Sequence, residues 1–176
     1  MMRLTHTNRR AMPEDAISDF TVLVHSPLYL IRTTAACFKC ERPHQVVGFA
    51  ATEIEHDGDR YGDSNAPEEL FLLSRVVALP EHVLAYVQGR HPCYQLTHSQ
   101  TANFAYFANL CECGVIYGDH YLFSEPGGAF FPETPEAAAQ IEIIRLQLEG
   151  RFEFDCSWSY GSAGELILEN GSRVEL

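Results

Sequence analysis

The sequence predicts an α+β fold, mostly antiparallel, with its strands gathered around two cysteine turns. Three observations carry this expectation. Short runs rich in β-branched and aromatic residues recur between Thr21 and Phe123, with Gly, Pro, Asn and Asp between them. One longer segment, from Thr134 to Gly150, has the start and stop signals of a helix. Two close cysteine pairs, Cys37 with Cys40 and Cys111 with Cys113, each fall between strand-like runs.

Residues 1–18 are polar and mixed, and are expected to form a mobile arm ahead of a single domain over 19–176. Within the arm, Met12 to Ile17 is a candidate short helix with Pro13 in its first turn. Thr21 to Val24 and Leu28 to Thr34 read as strands parted by Ser26 and Pro27. Gln45 to Ile54 reads as the next strand, which puts the first cysteine pair in a tight turn. His56 to Pro67 is a loop by composition. Glu69 to Leu79 fits a buried strand or a helix, and the β-branching near its end favours the strand.

Pro80 to Gly89 is a short helix with proline at its start, glycine at its stop and Val83, Leu84 and Val87 on one face. Tyr94 to Thr97 and Asn103 to Leu110 are strand candidates, as are Val115 to Tyr117 and His120 to Phe123 after the second cysteine pair. In the long helical segment Thr134 can cap, Pro135 suits the first helical position and Gly150 suits the stop. Its apolar stripe is Ala137, Ile141, Ile144 and Leu148. Arg151 to Tyr160 alternates with period two, and Glu165 to Glu169 follows a glycine-bounded turn, so the tail reads as a terminal hairpin.

Length and charge bound the function. A chain of 176 residues suits one domain with a real core. Twelve basic against 24 acidic side chains give a net charge of -12, which repels phosphate backbones and attracts cationic partners. Nucleic-acid binding is disfavoured, although Arg3, Arg9 and Arg10 keep a basic arm in play. No apolar window approaches the roughly 18 residues of a membrane span, and no secretory pattern follows the first arginines. A cytoplasmic setting is the expectation. There thiols stay reduced, and close cysteine pairs read as metal ligands rather than disulfides.

Two cysteine pairs separated by a long insert point to one tetrahedral zinc held by Cys37, Cys40, Cys111 and Cys113. Each local pair supplies two thiolates from one turn. Joining the halves removes loop-closure entropy of about 4 kcal/mol. Lys39, the sole lysine, and Arg42 lie where they can offset the negative charge of a four-thiolate zinc. The second pair has one intervening residue instead of two, and His44 is the substitute ligand if one cysteine is out. Cys93 and Cys156 stand alone and read as core thiols.

The runs Cys37-Phe-Lys-Cys-Glu-Arg-Pro-His-Gln-Val-Val-Gly-Phe-Ala-Ala51, Asn109-Leu-Cys-Glu-Cys-Gly-Val-Ile-Tyr-Gly-Asp-His-Tyr-Leu122 and Glu125-Pro-Gly-Gly-Ala-Phe130 together resemble a group of uncharacterised bacterial zinc-ribbon-like proteins. The resemblance covers residues 28–56 and 100–132. It implies metal binding by the same four cysteines and implies no activity. This chain departs from the pattern in the shortened second pair and in Glu41, where the first turn would have glycine.

Four thiolates fill a zinc coordination sphere, so the metal is expected to be structural. H-E-x-x-H, the nucleobase-deaminase H-x-E, G-x-S-x-G and the phosphate-binding G-x-x-x-x-G-K are all absent from the sequence. Asp119 and His120 beside the second turn are the one acid/base pair to weigh, against a plain turn in which Asp119 binds backbone. Phe104, Tyr106 and Phe107 suit base stacking or core packing, and the acidic charge favours the core. The expected function is a non-enzymatic, zinc-stabilised protein-binding module, of an immunity, inhibitor or accessory kind, engaging a basic protein. The alternatives are a zinc-dependent hydrolase-type enzyme and a nucleic-acid-binding zinc ribbon.

Overall fold

A sheet of nine strands, mostly antiparallel, runs through the molecule, and a smaller sheet of three packs against it. The computed structural model describes residues 21–175. The expected arm and its short helix lie outside the described residues. The chain forms β1 (Thr21–His25), β2 (Leu28–Ala36), β3 (Pro43–Ala51), β4 (Glu53–His56), β5 (Asp59–Gly62) and β6 (Phe71–Ala78) before the first helix. Then come α1 (Glu81–Gln88), β7 (Tyr94–Ser99), β8 (Phe104–Leu110), β9 (Ile116–Tyr117) and α2 (Asp119–Phe123). The last third holds α3 (Pro135–Ala138), β10 (Glu142–Arg145), β11 (Arg151–Ser159), α4 (Ser162–Asn170) and β12 (Ser172–Val174).

The large sheet has the order β12-β10-β2-β3-β6-β11-β1-β4-β5, and the small one β7-β8-β9. Among the described residues only β10 and β12 pair in parallel. The central strands are buried on both faces, so alternation divides their side chains between two cores. Leu28, Leu30, Phe49, Leu73, Phe152 and Phe154 share one core with Val83 and Val87 of α1. Ile31, Val46, Ala50 and Leu72 share the other with Cys37, Cys111, Leu122, Phe123, Phe130 and Ile167. Half of the cysteine cluster is therefore built into a hydrophobic core.

Several expectations are corrected. The segment after Thr134 is not a long helix. Thr134 does cap, accepting from the Ala137 amide at 3.2 Å with Pro135 next, but helix α3 ends at Ala138. From Glu142 the chain becomes β10, hydrogen-bonded between β2 and β12. Ile143 and Ile144 of β10, and Ile141 just before it, are all buried, and these β-branched residues pack well in a strand covered on both faces. Ala137, the first residue of the expected stripe, is exposed.

The terminal hairpin is absent as well. β11 is a strand, but Ser162 to Asn170 is helix α4, and β12 returns to the far edge of the sheet. The β4–β5 hairpin lies in what composition marked as loop: Asp57 and Gly58 both adopt positive φ, +52 and +83, the turn that Asp-Gly favours between strands. His120 to Phe123 belongs to helix α2 rather than a strand. Cys156 is buried in the core as expected, whereas Cys93 is exposed.

Helix α4 seats on the sheet through Gly164, whose carbonyl accepts from the Leu70 amide at 3.4 Å. A methyl group at position 164 would be driven into the Leu70 carbonyl, a backbone atom that cannot swing aside. Gly164→Ala is expected to cost about 1–3 kcal/mol, the usual range for overpacking, read as a lower urea midpoint at an unchanged slope. An unchanged midpoint would show that α4 is not packed at this distance.

Candidate metal centre

Each cysteine pair sits at the tip of an antiparallel hairpin. β2 and β3 pair without interruption up to Ala36 and Pro43, and the chain turns through Cys37 to Arg42. The turn closes with the Cys37 amide donating to Arg42 O at 3.0 Å and the Glu41 amide donating to Cys37 O at 2.8 Å. It requires a left-handed residue after the second cysteine, and Glu41 takes it at φ +59. The second turn, between β8 and β9, closes one residue earlier: the Cys111 amide donates to Val115 O and the Gly114 amide to Cys111 O, both at 2.8 Å. Gly114 takes the left-handed position at φ +85. Both departures noted in the sequence thus preserve one plan. Glutamate bears a strain that glycine escapes, and the shortened pair keeps the reversal by drawing it tighter.

The two tips meet. Cys37 Sγ lies 3.7 Å from Cys113 Sγ, and Cys40 Sγ lies 3.5 Å from Cys111 Sγ. All four sulfurs fall within 4.8 Å of one another. A zinc tetrathiolate with bonds of about 2.3 Å has sulfur edges of about 3.8 Å, so the donor set fits that ion in chemistry and size. Cys37 and Cys111 are buried, while Cys40 and Cys113 are half-exposed.

The electrostatics of the sulfurs are uneven. The Arg42 amide, followed by its guanidinium, draws the Cys40 thiol down to about 5. Backbone donation, chiefly from the Cys40 amide, lowers Cys37. Burial pushes Cys111 up to about 12, with the neighbouring thiolates adding to the rise. A divalent cation at the centre supplies the charge that lets all four ionise together. Arg42 also pairs with Glu112 of the opposite turn at 3.2 Å, an exposed bridge from one tip to the other. His44 does not join the four donors. Its Nε2 lies 3.1 Å from Cys111 Sγ, placing the ring as a hydrogen-bond partner of that sulfur. Lys39 is exposed and contributes its backbone amide to Cys37.

What brings the tips together is a broken rung in the large sheet. β3 and β6 pair from Phe49 with Leu73 to Ala51 with Phe71. In that register Val47 would face Arg75, but Arg75 turns left-handed at φ +49 and β6 bulges away, shifting its register with β11 as well. Two side chains flanking the second cysteine pair fill the gap. Asn109 Oδ1 accepts from the Val47 amide and its Nδ2 donates to Val47 O, both at 2.8 Å, so the side-chain amide substitutes for a strand. Asp119, at the start of α2, accepts from the Arg75 amide at 2.5 Å. Asn109 is 3 % exposed and Asp119 5 %.

Asp119 and His120 therefore form no catalytic pair. The aspartate is held under α2 by backbone, while the exposed His120 faces Glu125 at 3.7 Å. Glu125 to Gly128 make a tight turn, with Phe130 N donating to Leu122 O at 2.8 Å to return the chain over α2. Tyr106 and Phe107 are core residues; the Tyr106 hydroxyl accepts from the Asp119 amide at 3.3 Å. The sequence carried a hint of the clamp, since Asn109 is an amide inside an apolar aromatic strand, but nothing in it named Val47 as the partner.

No family model matches the chain. Comparison with curated proteins and with solved structures likewise returns no match. The likeness to zinc-ribbon proteins thus rests on the cysteine turns and on the clustering of their four sulfurs.

Two outcomes follow for the clamp. Asn109→Ala leaves the Val47 amide and carbonyl buried without partners, at about 1–3 kcal/mol for each group. It is expected to lower both folding stability and metal affinity in a chelator competition, and an unchanged affinity would detach the clamp from the metal centre. Burial raises the Asp119 carboxyl to about 7, against the opposing pull of Arg75. Because the folded value exceeds the unfolded one near 3.9, the Asp119 contribution is complete below about pH 4 and is lost as pH rises through about 7. Asp119→Asn removes this dependence, so its stability relative to the parent should climb between pH 4 and 8. Parallel pH profiles would refute the assignment.

Proposed function

We propose that the protein is a non-enzymatic, zinc-stabilised binding module that engages a basic protein, in the manner of an immunity, inhibitor or accessory protein. The observation that carries the metal half is the convergence of Cys37, Cys40, Cys111 and Cys113 within one coordination sphere. Four thiolates from the protein complete a tetrahedron and leave no ligand position for water or substrate, which is the signature of a structural zinc. Held there, the ion would tie the β2–β3 tip to the β8–β9 tip and so fasten the small sheet to the large one.

The partner half is supported by where the acid lies. The β4–β5 hairpin and the loop to β6 present Asp57, Asp59, Asp63 and Glu68 to solvent. Arg60, on the same hairpin, is taken up by Glu53. β5 is the outermost strand on its side of the sheet among the described residues, so this acidic hairpin borders an open edge. A cationic protein meets both complementary charge and an accessible strand there.

Metal analysis of the purified, reduced chain is expected to give one zinc per molecule, and Cys111→Ser to lose the ion together with cooperative folding. A metal-free chain that still unfolds cooperatively would overturn the metal half. For the partner half, a pull-down from lysate should return a protein of basic pI whose retention falls steeply between about 50 and 200 mM salt. The triple change Asp57→Asn, Asp59→Asn, Asp63→Asn should weaken retention at least tenfold. Salt-insensitive capture of an acidic partner would refute this half while leaving the metal in place.

A further inference from the structure

We propose that the four-cysteine centre is also a site of reversible oxidation, in which a peroxide-class oxidant replaces the metal by two disulfides running between the turns, Cys40–Cys111 and Cys37–Cys113. The inference rests on the metal reading above and adds a chemical response to it. Its basis is how the sulfurs are distributed. Each of the two contacts between the turns joins one half-exposed thiol to one buried thiol: Cys40 with Cys111 at 3.5 Å, and Cys113 with Cys37 at 3.7 Å. An oxidant arriving from solvent meets Cys40 or Cys113 first. A buried partner already stands within van der Waals contact to resolve the product. Accessible sulfur beside a resolving sulfur is the arrangement that thiol oxidation selects.

The bonds and electrons balance without any further group. The Cys40 thiolate attacks one oxygen of the peroxide; an S–O bond forms as the O–O bond breaks, and the leaving hydroxide is protonated to water. Cys111 then attacks the oxidised sulfur; the S–S bond forms, the S–O bond breaks, and the second oxygen leaves as water. The sulfur pair gives two electrons to one peroxide molecule, and a second molecule serves Cys113 and Cys37. Zinc, deprived of its thiolates, departs. A dithiol reductant reverses the sequence by thiol–disulfide exchange.

Pairing between the turns has a structural consequence. A disulfide within one turn, Cys37 to Cys40, would leave the two hairpins unconnected. Bridges from Cys40 to Cys111 and from Cys37 to Cys113 join the same hairpins that the metal joins. The Asn109 clamp on Val47 lies outside the reacting atoms and holds the two tips in register while the linkage changes. Oxidation would thus exchange one staple for another.

The test uses the full chain carrying Cys93→Ser, which removes an exposed thiol outside the cluster. Zinc is quantified before oxidant, then followed with a chromogenic chelator as hydrogen peroxide is titrated in. The expected result is full release of zinc, its return after dithiothreitol and added zinc, and peptide mapping that finds Cys40–Cys111 and Cys37–Cys113. Zinc retained under tenfold excess peroxide, or mapping that finds Cys37–Cys40, overturns the inference. Protein that carries no zinc at the outset yet yields the two bridges overturns the metal reading alone, and the oxidation site stands as a pair of dithiols.

Discussion

The structure depends on one broken rung between two central strands. β6 bulges at Arg75, and its amide no longer faces Val47 on β3. A buried N–H and C=O without partners would be costly, and the chain meets that cost with side chains from a single distant segment. Asn109 serves Val47 and Asp119 serves Arg75. Both flank Cys111 and Cys113, so the repair of the sheet also aims the second cysteine turn at the first. Backbone hydrogen-bond accounting therefore determines where the sulfurs meet, before any metal is considered.

The metal centre then reads as the outer end of a continuous assembly. Cys37 and Cys111 belong to the same hydrophobic core as Leu122, Phe123 and Phe130, while Cys40 and Cys113 form its solvent side. Burial pushes the Cys111 thiol up, whereas Arg42 draws Cys40 down and backbone donation lowers Cys37. A cation at the centre would resolve this conflict, and held there it would lock the second sheet onto the first alongside the packing of β8 and α2 and the two clamps. The acidic hairpin of β4 and β5 lies at the edge beyond β1, separated by four strands from β2, which leads into the first turn. The acidic hairpin and the cysteine turns therefore lie in different parts of the molecule.

Some of this was legible along the chain. Apart from the β4–β5 hairpin, the strands through Leu110, the α1 helix and the two close cysteine pairs follow from alternation, capping and spacing, because each is set by neighbours a few residues away. Elsewhere local signals misled. Thr134 and Pro135 do start a helix, yet Ile143 and Ile144 complete a sheet between β2 and β12, and burial on both faces outweighed helix propensity. The Asp57-Gly58 turn was visible in principle but was masked by the polar composition around it. Glu165 to Glu169 alternates weakly over too few residues to separate strand from helix, and contact with the sheet through Gly164 selected the helix.

By itself the sequence determined which residues are able to make a thiolate site, how each pair is presented by its hairpin, and that the surface is acidic. These properties belong to residue type and short-range geometry. Only the tertiary structure decided that Cys40 faces Cys111 and Cys37 faces Cys113, that Asn109 stands in for a missing strand, and that Asp119 holds Arg75 rather than a substrate. Those outcomes depend on a bulge in β6 and a register between β3 and β6, and no local pattern encodes a pairing between strands so far apart in the chain.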